Sequence, residues 1–333
     1  MKATDRKTTI TLTILGIVLL VLCLLSLRLG SAKLSWSEFL AALCDTKKET
    51  PLGVILYSVR LPRVFSGIVS GVGLSLSGAI LQCVTGNKMA SPNLIGVSSG
   101  AGFGVILSLL VMPKLFAFVP LFAFVGAFLS TLFIVTISRK IGMTRGTVVL
   151  VGLAFSAILS AGISFISLID TDVLVSYNAF SIGSLSGVNF DELVLPFVMT
   201  VIVFTISMVL SGKMDLLCLG DSAATGLGLN VSRVRMIAIL LASASAASAV
   251  SFAGLLGFVG LMSPHIARAF IKDNMKYLLP ASALIGSVLV VGADLIGRAA
   301  FAPGEMPVGI FMALLGAPFF LCLLLFKGGK GNA

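Results

Sequence analysis

The chain is poor in charge. Of its 333 residues only 11% are Asp, Glu, Lys or Arg, whereas 58% are hydrophobic and the mean hydropathy is +1.13. A soluble globular protein carries charge on about a quarter of its residues, so a water-soluble fold is excluded. The apolar residues extend over the whole length, which also excludes a single anchor on a soluble body. We therefore expect an all-α, polytopic membrane protein that forms one transmembrane domain over residues 1–333.

Several functional motifs are also missing. The sequence contains no G-x-x-x-x-G-K-[ST] loop, so any ATP-driven work must come from a partner protein. The net charge of +10 comes from scattered Lys and Arg and not from a dense basic run, so nucleic acid is not an expected partner. The single histidine, His265, has no second metal-ligating side chain beside it, so no metal site is expected. We predict no catalytic residue, no enzymatic activity and no cofactor.

The five cysteines show no C-x-x-C spacing, and most of them lie inside apolar stretches. Such cysteines usually act as small apolar side chains in a packed interior. We therefore predict that they have no redox or metal-binding role. They are Cys23, Cys44, Cys83, Cys218 and Cys322.

Long runs with little or no charge predict the membrane-spanning helices. The first, Ile10 to Leu27, is longer than the 7 to 15 apolar residues of a signal peptide, so we interpret it as an uncleaved span. Seven more runs are each long enough to cross a bilayer. They are Val64 to Val84, Asn93 to Pro113, Leu115 to Ser138, Thr147 to Ile169, Leu193 to Gly212, Tyr277 to Ala293 and Val308 to Phe326.

The stretch from Met236 to Ala267 is long for one helix and short for two. Its only titratable group is His265. If the stretch folds back near Ser251 to Gly254, most of the 23 Lys and Arg residues fall on the cytoplasmic side. A single crossing would divide them almost evenly between the two sides. The positive-inside rule therefore favours ten spans in a bacterial cytoplasmic membrane, with both termini cytoplasmic.

A weak internal similarity indicates a duplication. Arg63 and Arg235 each open an apolar run, and Ser91-Pro92 recurs as Ser263-Pro264 at the same offset. The two copies would cover about residues 60–170 and about 232–326. With ten spans they would have opposite orientations, as the repeats of many transporters do.

The second and third spans are rich in Gly and Ser, which predicts close helix packing because small residues let backbones approach in lipid. At the predicted outer ends lie Arg60, Arg63 and Arg298. Arg298 can pair with Asp294 at i and i+4. Arg60 and Arg63 have no acidic neighbour at helical spacing, so they are either interfacial anchors or docking points for an acidic partner.

On the cytoplasmic side, the predicted loop of about residues 213–235 is the longest. Asp221 or Ser222 can cap a short helix that continues through Leu227, with Gly226 and Gly228 near its end. Such a helix is either a simple connector or a contact element for a soluble motor.

Several motifs occur along the chain in a fixed order. They are Arg60-Leu61-Pro62-Arg63, Ser77 to Gln82, Ala90 to Ala101, Gly257 to Leu261, Pro264 to Arg268, Ala293-Asp294, Arg298, Glu305, Pro307 to Gly309 and Gly316 to Phe320. In this order they resemble the permease subunits of the FecCD-like, type II ABC importers of iron-siderophore complexes, haem and cobalamin. The similarity extends from about residue 10 to 326. Residues 87–89 read Asn-Lys-Met where that family usually has Asn-Pro-Leu, which leaves the shape of this loop open.

The resemblance implies a set of partners and residue roles. The permease would form a homodimer or heterodimer in the lipid bilayer, with two cytoplasmic ATPase subunits below and an extracytoplasmic substrate-binding protein above. Arg60, Arg63 and Arg298 would dock the binding protein, and Thr144 and Thr147 would lie near a cytoplasmic gate. The fifth and tenth spans would line the passage. The coupling helix for the ATPase would comprise Asp221, Ser222, Ala223, Ala224, Thr225, Gly226, Leu227 and Gly228.

The function expected from this resemblance is ATP-driven import of an iron-siderophore-type chelate by alternating access. Haem or cobalamin import is the alternative within the same family. An ion-coupled secondary transporter is an alternative from another class, although few ionisable groups lie within the predicted spans. A membrane scaffold that transports nothing would need no contact with an ATPase. The sequence does not identify the cargo.

Overall fold

The computed structural model describes residues 2–30, 35–113 and 115–328. In these ranges the chain consists of helices joined by short connections. The α-helices are α1 (Lys2–Arg28), α2 (Trp36–Cys44), α3 (Pro51–Val54), α4 (Leu61–Thr85), α5 (Val97–Val111), α6 (Val119–Ile141), α7 (Arg145–Ile169), α8 (Thr171–Ile182), α9 (Phe190–Cys218), α10 (Asp221–Gly226), α11 (Val231–Ala253), α12 (Val259–Phe270), α13 (Met275–Ala299) and α14 (Val308–Gly328).

Seven helical segments of the described chain are long and apolar enough to cross a membrane. One is continuous from Pro51 to Thr85, because a π-helical turn at Ile55–Arg60 joins α3 to α4. Two shorter apolar helices are Val97–Val111 and Val308–Leu323. All eight long runs predicted from the sequence are largely helical, which confirms the multi-pass, all-α class.

The ambiguous stretch from Met236 to Ala267 is broken where the sequence analysis placed the break. Helix α11 ends at Ala253, and Gly254 leaves it with a φ of +71°. Helix α12 then begins after Phe258, whose φ of +64° is unusual for a bulky residue. The Phe258 ring lies directly over Gly316 of α14, where a Cβ atom would collide with it. A missing side chain in α14 thus provides the space for this ring.

Helix α4 forms the centre of the bundle. In its most apolar window 83% of the residues are buried, and α4 packs against α9, α11, α12 and α13. Small residues permit these approaches, as predicted: a Cβ atom on Gly78 would overlap the backbone of Gly260 in α12. Ser245 of α11 donates a hydrogen bond of 2.8 Å to the carbonyl oxygen of Gly73 at the crossing of α4 and α11.

Other helices lie at the periphery. In the most apolar 18-residue stretch of α7 only 11% of the residues are buried, and in that of α1 only 6%. The outward face of α7 carries large apolar side chains, among them Leu150, Phe165 and Leu168. Such a face requires lipid or another subunit to cover it.

The prediction that the cysteines are only apolar filler is wrong for two of the five. Cys83 near the end of α4 and Cys218 at the end of α9 form a disulfide, with their Cα atoms 5.1 Å apart. They are separated by 135 residues in the sequence, so local spacing contained no indication of the pair. The bond joins the ends of two neighbouring helices.

We expect Gly78→Ala to destabilise the bundle. The added methyl group would push α4 away from the Gly260 backbone, which cannot yield without moving α12. The loss should be about 1–3 kcal/mol in the free energy of unfolding, measured in detergent with a chemical denaturant.

Gly16→Ala in α1 is the matched control, because no atom lies within 4 Å of a Cβ built there. This substitution should leave the free energy of unfolding unchanged or raise it by up to ~1 kcal/mol. Equal unfolding curves for the two variants would contradict the close packing of α4 against α12.

Candidate functional site

Two polar clusters lie at opposite ends of α4. The arginine cluster comprises Arg60, Arg63, Asp294, Arg298 and Glu305, and it surrounds the N-terminal end of this helix. The Asp221 cluster comprises Asp221, Arg145 and Arg235. It lies beyond the C-terminal end of α4, where Arg145 reaches Gly86. With a rise of about 1.5 Å per residue, the 25 residues of α4 separate the clusters by roughly the thickness of a bilayer core.

Asp294 of α13 holds two arginines at once. Its Oδ1 atom accepts a hydrogen bond of 3.0 Å from Nε of Arg63, and its Oδ2 atom accepts one of 2.9 Å from Nε of Arg298. All three side chains are at most 7% exposed. The i, i+4 pair of Asp294 and Arg298 is thus confirmed, and it is buried, which distinguishes it from exposed ion pairs that contribute little to stability.

Glu305 brings the connection between α13 and α14 into the cluster. Its Oε2 atom accepts a hydrogen bond of 2.6 Å from Nη1 of Arg63. The sequence analysis found no acidic neighbour for Arg63 because Glu305 and Asp294 are more than 200 residues away. No pattern within one helix could have revealed these partners.

The arginine cluster also binds the end of α1. Arg60 donates hydrogen bonds of 2.8 and 2.6 Å to the carbonyl oxygens of Leu27 and Arg28, and Arg298 donates one of 2.6 Å to Oγ of Ser26. Positive charge at a helix C-terminus satisfies the last carbonyl groups and favours the helix dipole. The three arginines predicted as docking points are therefore buried and already hydrogen-bonded within the chain. Docking through them stays a prediction.

The short helix predicted in the cytoplasmic loop exists as α10, but its capping differs from the prediction. Gly220, with a φ of +108°, is the N-cap, and no side chain caps the helix. The Asp221 side chain is 43% exposed, and its Oδ1 atom accepts a hydrogen bond of 2.5 Å from Nη2 of the buried Arg235. Leu227 follows the helix and is 62% exposed. The helix therefore has a polar inner anchor and an apolar outer side chain.

Two arginines connect Asp221 to the start of α7. The Nε atom of Arg145, the first residue of α7, lies 3.4 Å from Oδ1 of Asp221. Arg235, of which only 1% is exposed, also donates a hydrogen bond of 2.5 Å to the carbonyl oxygen of Met143. Arg235 therefore binds the backbone just before α7, and Arg145 is itself the first residue of α7.

The hydrogen bond from Arg235 holds the pKa of Asp221 below its ordinary value, and the charge of Arg145 acts in the same direction. A lowered pKa means that the carboxylate is fully ionised at neutral pH. The contribution of this cluster to stability is therefore complete above about pH 4 and is lost as the pH falls through the lowered pKa.

The two threonines predicted near a gate lie within this same segment. Thr144 caps α7, and its Oγ1 atom accepts a hydrogen bond of 3.1 Å from the backbone N–H of Thr147. The two hydroxyl oxygens are 2.7 Å apart. The structure thus brings Thr144 and Thr147 next to the predicted coupling helix, with Arg145 between them in the chain.

His265 lies in α12, where its ring makes an edge contact with Phe319 at a centroid distance of 6.1 Å. Among the described residues no group of three or more His, Cys, Asp or Glu side chains is arranged to hold a metal ion.

We expect Asp294→Asn to destabilise the chain strongly, because it leaves Arg298 buried without its carboxylate and weakens the pairing of Arg63. Removing one partner of a buried ion pair costs about 3–5 kcal/mol. A lower midpoint in denaturant unfolding of the detergent-solubilised protein would report this loss. Glu49→Gln removes an exposed carboxylate and is the control, with an expected change within about 0.5 kcal/mol. Similar unfolding midpoints for Asp294→Asn and Glu49→Gln would refute the proposed role of Asp294.

Comparisons with known proteins agree over nearly the whole chain. The chain is 37% identical over 334 residues to the Fe(3+)-citrate import system permease protein YfmE of Bacillus subtilis, covering 99% of this chain and 100% of that protein. It is 35% identical over 318 residues to the hemin transport system permease protein HmuU of Yersinia pestis, covering 93% of each. A vitamin B12 import system permease of Vibrio cholerae, BtuC, is 35% identical over 274 residues, with 81% of this chain and 82% of that protein covered.

A solved structure shares the fold. An inward-facing metal-chelate type ABC transporter superposes with a TM-score of 0.81 and 28% sequence identity, covering 96% of this chain and 99% of that one. The sequence pattern of the FecCD transport family matches residues 18–326. The motifs, the helical bundle and these matches agree, and the chain belongs to the FecCD transport family.

Proposed function

We propose that this chain is the membrane permease of an ATP-driven importer and that it moves a metal chelate into the cell by alternating access. The observation that carries the proposal is α10, a short helix outside the apolar segments whose charged anchor reaches the start of α7. An element that can be pushed from outside the bundle suits a protein driven by a separate motor. The whole sequence lacks a nucleotide-binding loop of its own.

The partners we propose are two cytoplasmic ATPase subunits, a second permease chain and an extracytoplasmic substrate-binding protein. The exposed apolar face of α7 supports the second permease chain, which can be an identical copy or a related subunit. The passage would then lie between the two chains, beside α7 and α14. The rest of the exposed apolar surface would contact membrane lipid.

The cargo we propose is a ferric chelate of the siderophore or citrate type. The name of the Bacillus subtilis relative and the metal-chelate type transporter support this choice. The hemin and vitamin B12 relatives keep haem and cobalamin as alternatives. All of these are large molecules, which need a wide passage more than tightly binding groups.

We further propose ten spans and an inverted repeat. Seven long apolar helices and the shorter α5, α12 and α14 together provide ten candidate crossings. The packing supports the repeat: α4 of the first unit packs against α13 of the second, and the equivalent helices, α11 of the second unit and α6 of the first, also pack against each other. Gly73 and Ser245, which occupy equivalent positions at the repeat offset, bond to each other where α4 and α11 cross. Contact between equivalent residues is expected at a pseudo-two-fold axis.

The arginine cluster would form part of the docking surface for the binding protein. Three guanidinium groups and two carboxylates leave it with an excess of positive charge, which favours an acidic partner. Because Arg63 and Arg298 are buried, docking would involve the loop that carries Glu305 as well as the arginines themselves.

The proposed topology predicts that the connection between α12 and α13 is cytoplasmic. In a background with Cys44→Ser and Cys322→Ser, Lys272→Cys should react with a membrane-impermeant maleimide only after the cells are permeabilised. Ser186→Cys, exposed between α8 and α9, is the extracytoplasmic control and should react in intact cells. Labelling of Lys272→Cys in intact cells would overturn the ten-span topology.

The proposed energy source is tested in proteoliposomes that contain the purified complex of this chain with its ATPase subunits. Uptake of radioactive ferric citrate or a ferric siderophore should require ATP on the side of the membrane where the ATPase subunits lie. It should continue when ionophores abolish proton and sodium gradients. Uptake that stops with ionophores and continues without ATP would instead identify an ion-coupled secondary transporter.

A further inference from the structure

We propose that Asp221 is a positioning residue that transmits movement of α10 to the start of α7, and that it does not contact the motor. This inference rests on the proposed function, because it concerns how an ATPase subunit would act on the bundle. It changes the expectation that Asp221 and its neighbours contact the ATPase as one uniform surface. Within α10, the anchor and the contact surface would be different side chains.

The pairing of the Asp221 carboxylate is the first argument. The Asp221 side chain is 43% exposed, but its Oδ1 atom accepts a hydrogen bond from Arg235, whose side chain is 1% exposed, so its charge is already neutralised within the chain. Arg235 belongs to the first two turns of α11 and cannot move independently of that helix. The carboxylate thus fixes α10 to the bundle, and the exposed Leu227 at the other side is free to meet a partner.

The position of the two arginines is the second argument. Arg145 is the first residue of α7 and lies 3.4 Å from Asp221, while Arg235 binds the carbonyl oxygen of Met143 just before α7. These contacts enclose Thr144, whose side chain caps α7. A displacement of α10 therefore acts on both sides of the cap at which α7 begins.

Arg145 makes this region a junction of several helix ends. It donates a hydrogen bond of 3.0 Å to the carbonyl oxygen of Leu217 near the end of α9, and its guanidinium group lies against Gly86 at the end of α4. Gly86 has a φ of +64° and no side chain, which leaves space for the arginine. The Arg145 side chain would thus transmit movement of Asp221 to the C-terminal ends of α4 and α9 and to the start of α7.

The two contacts differ in strength. The bond from Arg235 to Asp221 is a charge-assisted hydrogen bond of 2.5 Å, and such bonds are about twice as strong as neutral ones, so it resists separation when α10 is displaced. The contact with Arg145 is an ion pair of 3.4 Å. Both arginines share the single Oδ1 atom of Asp221. Substitution by Asn keeps the size of the side chain but removes the charge that holds the two together.

The experiment uses the full complex of this chain and its ATPase subunits in proteoliposomes. It measures three quantities for each variant: ATPase subunits retained per permease, the rate of ATP hydrolysis, and cargo transported per ATP hydrolysed. Asp221→Asn should retain the ATPase subunits and hydrolyse ATP within about two-fold of the wild-type rate, but its transport per ATP should fall by tenfold or more. Asp221→Glu, which keeps the carboxylate, should recover a substantial part of this ratio.

Leu227→Ala provides the contrast within the same element. If Leu227 is a contact residue, this variant should retain fewer ATPase subunits, while the complexes that do form should transport a normal amount per ATP. Two opposite effects from residues six positions apart would separate transmission from contact.

Arg145→Ala gives an independent test from the other side of the junction, also if Asp221→Asn does not fold. It should lower transport per ATP in the same way, and the double variant should lose less than the sum of the two single losses, because both single variants remove the contact between Asp221 and Arg145. Strictly additive effects would contradict a shared path.

Three outcomes would overturn the proposal: an unchanged transport ratio in Asp221→Asn, loss of the ATPase subunits from that variant, or equal impairment in Asp221→Asn and Asp221→Glu. A failure of the proposed function would look different. The wild-type chain would then retain no ATPase subunit, or would transport without ATP, before any variant was compared.

Discussion

The bilayer supplies neither hydrogen bonds nor a hydrophobic drive that brings one helix against another. Every feature of this bundle follows from that constraint. Backbone groups are satisfied inside helices, and helices associate through close van der Waals contact. The central position of α4 depends on glycines at its crossings, above all Gly78, which meets Gly260 of α12 backbone to backbone. Serine hydroxyls, such as that of Ser245, add hydrogen bonds where the helices are already in contact.

The same constraint explains where the charged residues are. In the part of the chain that the structure describes, charged side chains lie in the connections or towards helix ends, and the buried ones are hydrogen-bonded or ion-paired. At one end of α4 the carboxylate of Asp294 joins Arg63 and Arg298, and this cluster connects α1, α4 and α13. At the other end Asp221 joins Arg145 and Arg235, which connects α7, α10 and α11. The bundle is thus fastened by electrostatic contacts at both ends and packed by small residues between them.

Much of the fold could be predicted from the sequence because apolar runs of sufficient length become helices in lipid. The break after Ala253 also followed from the distribution of positive charge, although no proline or charged residue marks it. The local pair of Asp294 and Arg298 was predictable from its helical spacing. A short helix, α10, lies in the loop where one was predicted, and the hydroxyl groups of Thr144 and Thr147 lie beside one another. The roles of these residues in coupling and gating stay predictions.

The long-range side-chain contacts of these elements could not be predicted from one sequence. Arg63 pairs with Glu305, which is 242 residues away in the sequence, and Cys83 forms a disulfide with Cys218, which is 135 residues away. Asp221 or Ser222 was expected to cap α10, because both residue types are common N-caps, but no side chain caps the helix and the carboxylate of Asp221 accepts a charge-assisted hydrogen bond from the buried Arg235 instead. Tertiary partners therefore decided the roles of residues whose location the sequence had already indicated.

The ring of Phe258 illustrates how such long-range dependence restricts change in this protein. It stands in a left-handed backbone conformation at the start of α12 and fills the place where a side chain of residue 316 would be. Neither position can therefore vary alone: a larger residue at Gly316 requires a smaller one at Phe258, and loss of the ring leaves a void beside α14. We therefore expect residues 258 and 316 to be substituted together in sequences that derive from this one.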